Sequence, residues 1–345
     1  MINFIFLLIF LVVVNYFFIR EKFLLDSINN QPHKKFSRSK ETDKIPLTGG
    51  FFIYVCFLIF LKSDYVFLIF SLLILLIGTF SDLNILKKPS TRLYLQIIVI
   101  ILYVFLDNLY IKNIRIEYID KNFLSVDFIS LIFAAFCILI LINGTNFIDG
   151  LNTLATGYFI SLFFILIYLS NIKNLYIDLN LIKNFTYALL IFLLFNFFGK
   201  CYLGDSGSYL LALFVSKILI NFANSNQSVS PYFIVLILWY PALENFFSIF
   251  RKIFFRRSPF KPDFMHLHQL LYNFFLKKNL ISKSYLNTLV GVIINIYNFI
   301  IMYIGCNYYT ETNKVFLLIF FNIICYFISY YFFYKINRNS KEIYE

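Results

Sequence analysis

The sequence predicts an all-α integral membrane protein with about eleven transmembrane helices, an external amino terminus and a cytoplasmic carboxyl terminus. Three observations predict it. Hydrophobic residues make up 60% of the 345-residue chain and charged residues only 14%, against roughly one quarter charged in a soluble domain. Apolar segments approaching 20 residues recur along the whole length. The basic residues collect in alternate connections, the pattern that fixes orientation in a bilayer.

The first apolar run, "MINFIFLLIFLVVVNYFFIR", lacks a basic leader and a small-residue cleavage site, so it reads as a retained span over 2–19. Further spans are expected at 49–61, 65–80, 93–107, 126–142, 154–170, 185–199, 207–223, 231–250, 285–305 and 315–334. Segment 49–61 is short for a hydrocarbon core of roughly 30 Å and must borrow flanking residues. With an external start, the inside segments 20–48, 81–92, 143–153, 200–206, 251–284 and 335–345 hold 22 of the 30 Lys and Arg residues. Seven fall outside. Lys217 lies within a span, where a single long base can snorkel. One polytopic domain, 1–334, therefore carries cytoplasmic loops near 21–48, 81–92, 143–153, 200–206 and 251–284, followed by a cytoplasmic tail, 335–345.

The net charge of +12 sits between apolar segments, so it reads as orientation and contact with anionic lipid, not nucleic-acid binding. The five cysteines show no CxxC spacing and read as small buried side chains. No phosphate-binding GxxxxGK[ST] loop, zincin helix or serine-hydrolase elbow is present.

The chemistry-bearing stretches all fall on the expected cytoplasmic side. In "GTFSDLNILKKPSTRLYLQ" (78–96), Asp82 follows one apolar helix and Arg92 opens the next; an acid there can bind a cation, and Lys87, Lys88 and Arg92 can hold a phosphate. The bland alternative is a solvated turn with snorkelling bases. In "NGTNFIDGLNTLATG" (143–157), Asn143, Asn146, Asp149 and Asn152 recur every third residue. Their oxygens suit Mg²⁺ or the hydroxyls and phosphates of a nucleotide sugar. An Asn/Gly-rich helix break is the alternative. In "CYLGDSGSYLLALF" (201–214), Asp205 and Ser206 stand at a helix start, where free N–H groups favour phosphate, or where Asp205 is simply an N-cap. In "RRSPFKPDFMHLHQLL" (256–271), His266 and His268 are two of three histidines, and their i,i+2 spacing excludes one helical face. Arg257 beside them can pair with phosphate. The amino-terminal loop brings Lys44 just before "IPLTGG".

These motifs resemble, in order, those of the polyprenyl-phosphate sugar-1-phosphate transferases, glycosyltransferase family 4. They are "PLTGG" at 46–50, "SDLNILKKPSTRLYLQ" at 81–96, "NGTNFIDGLNTLATG" at 143–157, "GDSGS" at 204–208 and the histidine loop at 258–271. The resemblance covers nearly the whole chain and leans to the bacterial undecaprenyl-phosphate GlcNAc-1-phosphate transferase type. It implies an inner-membrane enzyme of cell-envelope glycan synthesis, such as O-antigen or wall polymer, working with Mg²⁺ or Mn²⁺. Such an enzyme transfers sugar-1-phosphate from a UDP-sugar to undecaprenyl phosphate and releases UMP. Membrane lipids are the surrounding partners, a homodimer is compatible with the resemblance, and nucleic acid is not a partner.

Carried over by motif, the resemblance implies catalytic roles for Asp82, Asp149, Asp205, His266 and His268, with Asp205 and Asp149 on the metal. It implies substrate contacts for Lys44, Arg92, Asn143, Asn146, Asn152, Tyr202, Ser206 and Arg257, with Tyr202 able to stack the uracil. The chain departs from the pattern at Ser81 and Asn152, where aspartates are usual, at Glu244, often an aspartate, and at Gln269, in place of a histidine. Two rival readings remain: a multi-pass transporter, and a nucleotide-sugar-binding paralogue with weakened catalysis.

Overall fold

The computed structural model describes residues 2–26, 45–256, 258, 259, 265–278 and 282–338. The chain folds into helices α1 (Ile2–Arg20), α2 (Gly49–Phe60), α3 (Tyr65–Asp82) and α4 (Pro89–Leu106). A three-residue α5 (Glu117–Ile119) runs into a π turn and then α6 (Asp127–Ile148). There follow α7 (Leu154–Lys173), α8 (Leu179–Phe197), α9 (Gly204–Ser225), α10 (Pro231–Ile237) and α11 (Trp239–Phe254). The last three are α12 (Leu267–Lys277), α13 (Lys283–Gly305) and α14 (Thr312–Arg338). The only strands among the described residues are β1 (Leu25–Asp26) and β2 (Ile45–Pro46), an antiparallel two-residue pair.

Every expected span coincides with a helix, but two do not cross simply. Nine described helices are long and apolar enough to cross a membrane, or ten if α10 and α11 form one broken span bent by 76°. Helix α2 has 12 residues, about 18 Å of rise, which falls well short of a bilayer core. The break before α11 has an identifiable cause. Pro241 has no N–H to give the Ile237 carbonyl, and the Tyr158 hydroxyl donates to that carbonyl instead, at 2.8 Å. A freed backbone group inside a bilayer needs such a substitute.

Helix α9 is the axis of the bundle, buried from Gly204 to Val215 without interruption and packed by α2, α3 and α6. Helices α1, α4 and α14 lie at the periphery and turn large apolar side chains outward, as a lipid-facing surface requires. Small residues permit the central contacts. A Cβ on Gly78 of α3 would sit 2.2 Å from the Ser206 Cα, and one on Gly49 would sit 2.6 Å from the Leu203 Cα. All five cysteines are free, and Cys56, Cys201 and Cys306 are buried.

Lys217 does not snorkel alone. Its ammonium lies 2.5 Å from Asp64, which caps α3, and 2.9 Å from Asp107, at the end of α4. Tyr103 donates to Asp107 at 2.9 Å. Lys217 is twelve residues beyond Asp205 on α9, about 18 Å along the axis, so this cluster marks the opposite end of the bundle from the polar motifs.

Two variants test this packing. Gly78→Ala drives a methyl into the α9 backbone and is expected to reduce the yield of monodisperse protein in detergent sharply. Lys217→Met leaves two carboxylates facing each other and is expected to destabilise the fold by roughly 2–3 kcal/mol, read as a lower thermal midpoint.

Candidate active site

The start of α9 is held by an acid 123 residues away in sequence. Gly204 takes φ +75°, a conformation glycine adopts readily, and turns the chain into the helix. The Asp82 carboxylate, at the end of α3, then accepts the N–H of Asp205 at 2.9 Å, the N–H of Ser206 at 3.1 Å and the Ser206 hydroxyl at 2.9 Å. The anion at this helix terminus is thus the protein's own side chain, which meets the free N–H groups and the positive end of the helix dipole. Ser208 donates to the Asp205 carbonyl. The hydroxyls and N–H groups that the sequence offers to phosphate are engaged in building the corner.

Asp205 itself points to a different partner set. One carboxylate oxygen accepts from the Ser81 hydroxyl at 2.5 Å and from the Arg92 guanidinium at 2.9 Å, and Arg92 also donates to Ser81 at 2.6 Å. Pro89 opens α4, so Arg92 sits in the first turn, partly exposed, while Asp205 is buried. Ser81, the residue in place of an expected aspartate, is the bridge: its hydroxyl gives to the acid and receives from the base. A carboxylate there would meet Asp205 as a like charge.

The stretch "NGTNFIDGLN" ends α6 and begins a buried irregular turn. Asn143 donates back to the Leu139 carbonyl, and the Asp149 N–H to the Thr145 carbonyl. Asn146 reaches the Tyr209 hydroxyl at 3.4 Å, one turn beyond Asp205, and so joins the α6 end to the α9 start. After Asp149 the chain leaves the helix, and Thr153 takes φ +66°. Its backbone is supplied with partners by three amides: Asn287 accepts the Asn152 N–H, Asn196 accepts the Thr153 N–H, and Asn295 donates to the Thr153 carbonyl. Non-helical backbone in a membrane protein survives only when satisfied this way. Asn152 is buried, with its backbone carbonyl against Gly291 of α13 and its side-chain amide beside Gly199.

The histidines occupy the junction into α12. His266 is extended, His268 is the second helical residue, and their rings stack at 5.6 Å despite the i,i+2 spacing. His266 Nδ1 lies 2.8 Å from Glu244, whose other oxygen accepts the Leu267 N–H at 3.2 Å. Gln269 accepts the His266 N–H. His268 is fully buried against Gly150, beside Asp149, where a Cβ on the glycine would lie 2.5 Å from His268 Nε2. Burial pushes His268 down to about 3, so its ring is neutral at neutral pH and contributes shape and hydrogen-bonding capacity, not charge.

Tyr202 is placed away from any open stacking position. Its backbone bridges Pro46 and Gly49, and its ring packs among Phe18, Leu24, Ile45 and Leu47. Lys44 and Arg257 lie outside the described residues. In the sequence Glu244 is only a departure from the motif, because 22 positions separate it from His266, the partner it meets in the fold.

No cluster of three His, Cys, Asp or Glu side chains that could hold a metal occurs among the described residues. The donor set nonetheless fits one kind of ion. Oxygen donors at a single corner suit Mg²⁺, which is bound by one or two carboxylates and takes its remaining ligands from water and substrate phosphates. Soft or nitrogen-rich metal sites do not fit these residues.

Residues 65–223 match glycosyl transferase family 4. The chain is similar to the undecaprenyl-phosphate alpha-N-acetylglucosaminyl 1-phosphate transferase of Thermotoga maritima, 27% identical over 68% of this chain and 70% of that protein. It is 24% identical to the protein of the same name from Yersinia pestis, over 68% of this chain and 67% of the relative. It is also 29% identical to the decaprenyl-phosphate N-acetylglucosaminephosphotransferase of Mycolicibacterium smegmatis, over 41% of this chain and 40% of that protein.

If Asp82 is the cap of α9, Asp82→Ala strands its N–H groups and should cost about 1–3 kcal/mol in thermal or denaturant unfolding, with Asp82→Asn less damaging. His268 supplies a second test. Its folded value lies below its unfolded one, so the unfolded chain binds more protons between about 3 and 6.5. Stability is therefore full above that window and falls as pH drops through it; His268→Gln should flatten this part of the stability–pH curve.

Proposed function

Because the chain belongs to glycosyl transferase family 4, we propose that it transfers a sugar-1-phosphate from a UDP-sugar to undecaprenyl phosphate, giving lipid-pyrophosphate-sugar and UMP. The observation that carries this reading is the convergence of Ser81, Asp82, Arg92, Asn146 and Asp205 at one end of the bundle, from motifs far apart in sequence. The names of these relatives support an N-acetylated hexosamine as the sugar. The basic-residue bias supports eleven membrane passages, counting α2 and the broken α10–α11, with this end in the cytoplasm of a bacterial inner membrane.

A lipid phosphate oxygen attacks the β-phosphorus of the UDP-sugar. The bond from that phosphorus to the bridging oxygen breaks, and UMP carries the electron pair away. One pyrophosphate linkage replaces another, so no ATP is required. At neutral pH the lipid phosphate, with a second pKa of about 6, is largely ionised, and a strong general base is unnecessary. The barrier is the approach of two anions and the charge on departing UMP.

Asp205 and Asp149 would hold Mg²⁺, or Mn²⁺ in its place, which supplies charge neutralisation at the phosphates when bound. Arg92, at the rim of the corner, offers a guanidinium to the same phosphates, with Lys87 and Lys88 beside it for the lipid headgroup. Asp82 holds the corner itself and acts through α9, not as a proton acceptor. Asn146 orients the donor through Tyr209, Arg257 stabilises phosphate charge, and His266 does so in its doubly protonated form, with the second proton on Nε2 directed at phosphate.

A transporter would carry its acids near mid-membrane. Here the paired acids sit at the two ends, which favours interfacial chemistry. A binding paralogue is separated from an enzyme by assay. Purified protein with undecaprenyl phosphate, Mg²⁺ and a panel of UDP-sugars should release UMP and yield the lipid product by mass. Asp205→Asn should lower turnover at least about 100-fold while the protein still inserts and elutes as wild type. UDP-sugar binding without turnover across the panel would identify the paralogue.

A further inference from the structure

Glu244 is a fully buried acid that the transfer mechanism leaves unused. It sits on α11, in the turn after the Pro241 break, and faces the entrance of α12. Both of its oxygens are engaged by consecutive residues: one meets His266 Nδ1 at 2.8 Å, the other accepts the Leu267 N–H at 3.2 Å. The His266 backbone is held separately, through Gln269. The imidazole is thus fixed from the ring side by Glu244 and from the chain side by Gln269, with Phe147 at 5.2 Å and His268 at 5.6 Å flanking its plane.

The chemistry of the pair sets a proton position. An ionised carboxylate can only accept, so the hydrogen must lie on His266 Nδ1. The neutral ring then has its lone pair on Nε2, and any proton taken up goes to that atom. We propose that Glu244 is a positioning residue for the transfer reaction: it locks His266 in the Nδ1–H tautomer and so leaves Nε2 as the nitrogen that takes up a proton and meets the substrate phosphates. The assignment rests on the transferase reading for its consequence, but not for its structural content. Both carboxylate oxygens are needed, because two adjacent residues at the start of α12 are held from α11.

An amide cannot reproduce this arrangement. In Glu244→Gln one atom still accepts, but the other is an NH₂ group. If the oxygen keeps the Leu267 N–H, the NH₂ donates to Nδ1 and the histidine proton moves to Nε2. The chain has only three histidines, so ¹⁵N-histidine labelling of the purified protein gives few signals, and His266→Gln identifies the one that matters.

In the wild type, the His266 signal should show a protonated Nδ1 and an unprotonated Nε2 at a pH where the ring is neutral. In Glu244→Gln the pattern should reverse or split, and turnover with the best UDP-sugar should fall at least about tenfold at unchanged UDP-sugar affinity. Glu244→Asp keeps the acceptor pair and should retain the wild-type nitrogen pattern with part of the turnover. A wild-type pattern in Glu244→Gln overturns the proposal. So does a Glu244→Asp protein with the amide variant's spectrum, because Glu244 would then act by packing alone. Absence of turnover in the wild type would sink the transferase reading while leaving the nitrogen spectra to decide the tautomer lock.

Discussion

The Asp82 carboxylate on the amino end of α9 is the contact on which the polar corner depends. It joins the last residue of one helix to the first turn of the most buried one. Its two oxygens replace the water that the helix terminus would otherwise require. The other side chains of the polar corner are positioned from this joint. Asp205 is oriented because its own N–H is fixed, Ser81 lies beside Asp82 in sequence, and Arg92 arrives by the short connection through Pro89. Close approach at Gly78 is what allows the carboxylate to reach.

The sequence exposed the architecture in proportion to how local each signal is. Hydropathy located a helix at every expected span, because apolar length is a property of consecutive residues. It could not show that 231–250 breaks, since that outcome depends on Pro241 meeting a hydroxyl from α7. The motifs identified Asp82, Asn146, Asp149, Asp205 and the histidines as a set. They did not separate the residues that build the corner from those that face outward. Ser206 and the α9 N–H groups look available in sequence and are engaged in three dimensions, because their partner is 123 or more positions away. Asn196, Asn287 and Asn295 drew no attention at all. A lone amide in an apolar helix has no periodic signature, and its value appears only beside the irregular backbone it satisfies.

The departures at Ser81 and Gln269 are placed by the same reasoning. Each keeps a hydrogen-bonding atom at a position where another element needs one. Ser81 bridges a base and an acid, and Gln269 closes the chain onto the start of α12. Asn152 is a neutral side chain in a buried setting, where a carboxylate would carry a desolvation cost that the amide avoids. These are substitutions consistent with a maintained fold around the polar end.

Helix α9 is gripped at both ends, by Asp82 at one terminus and by Asp64 and Asp107 through Lys217 near the other. A rod pinned at two points about 18 Å apart can neither slide along its axis nor rotate about it. Helices α3 and α4 share both pins, so the three form a stationary frame. Helices α11 and α12 are outside both clamps, and α11 already diverges at the Pro241 break. The histidine pair is therefore located through α6 and the turn after it instead, by Pro241 against Gly144 and by His268 against Gly150.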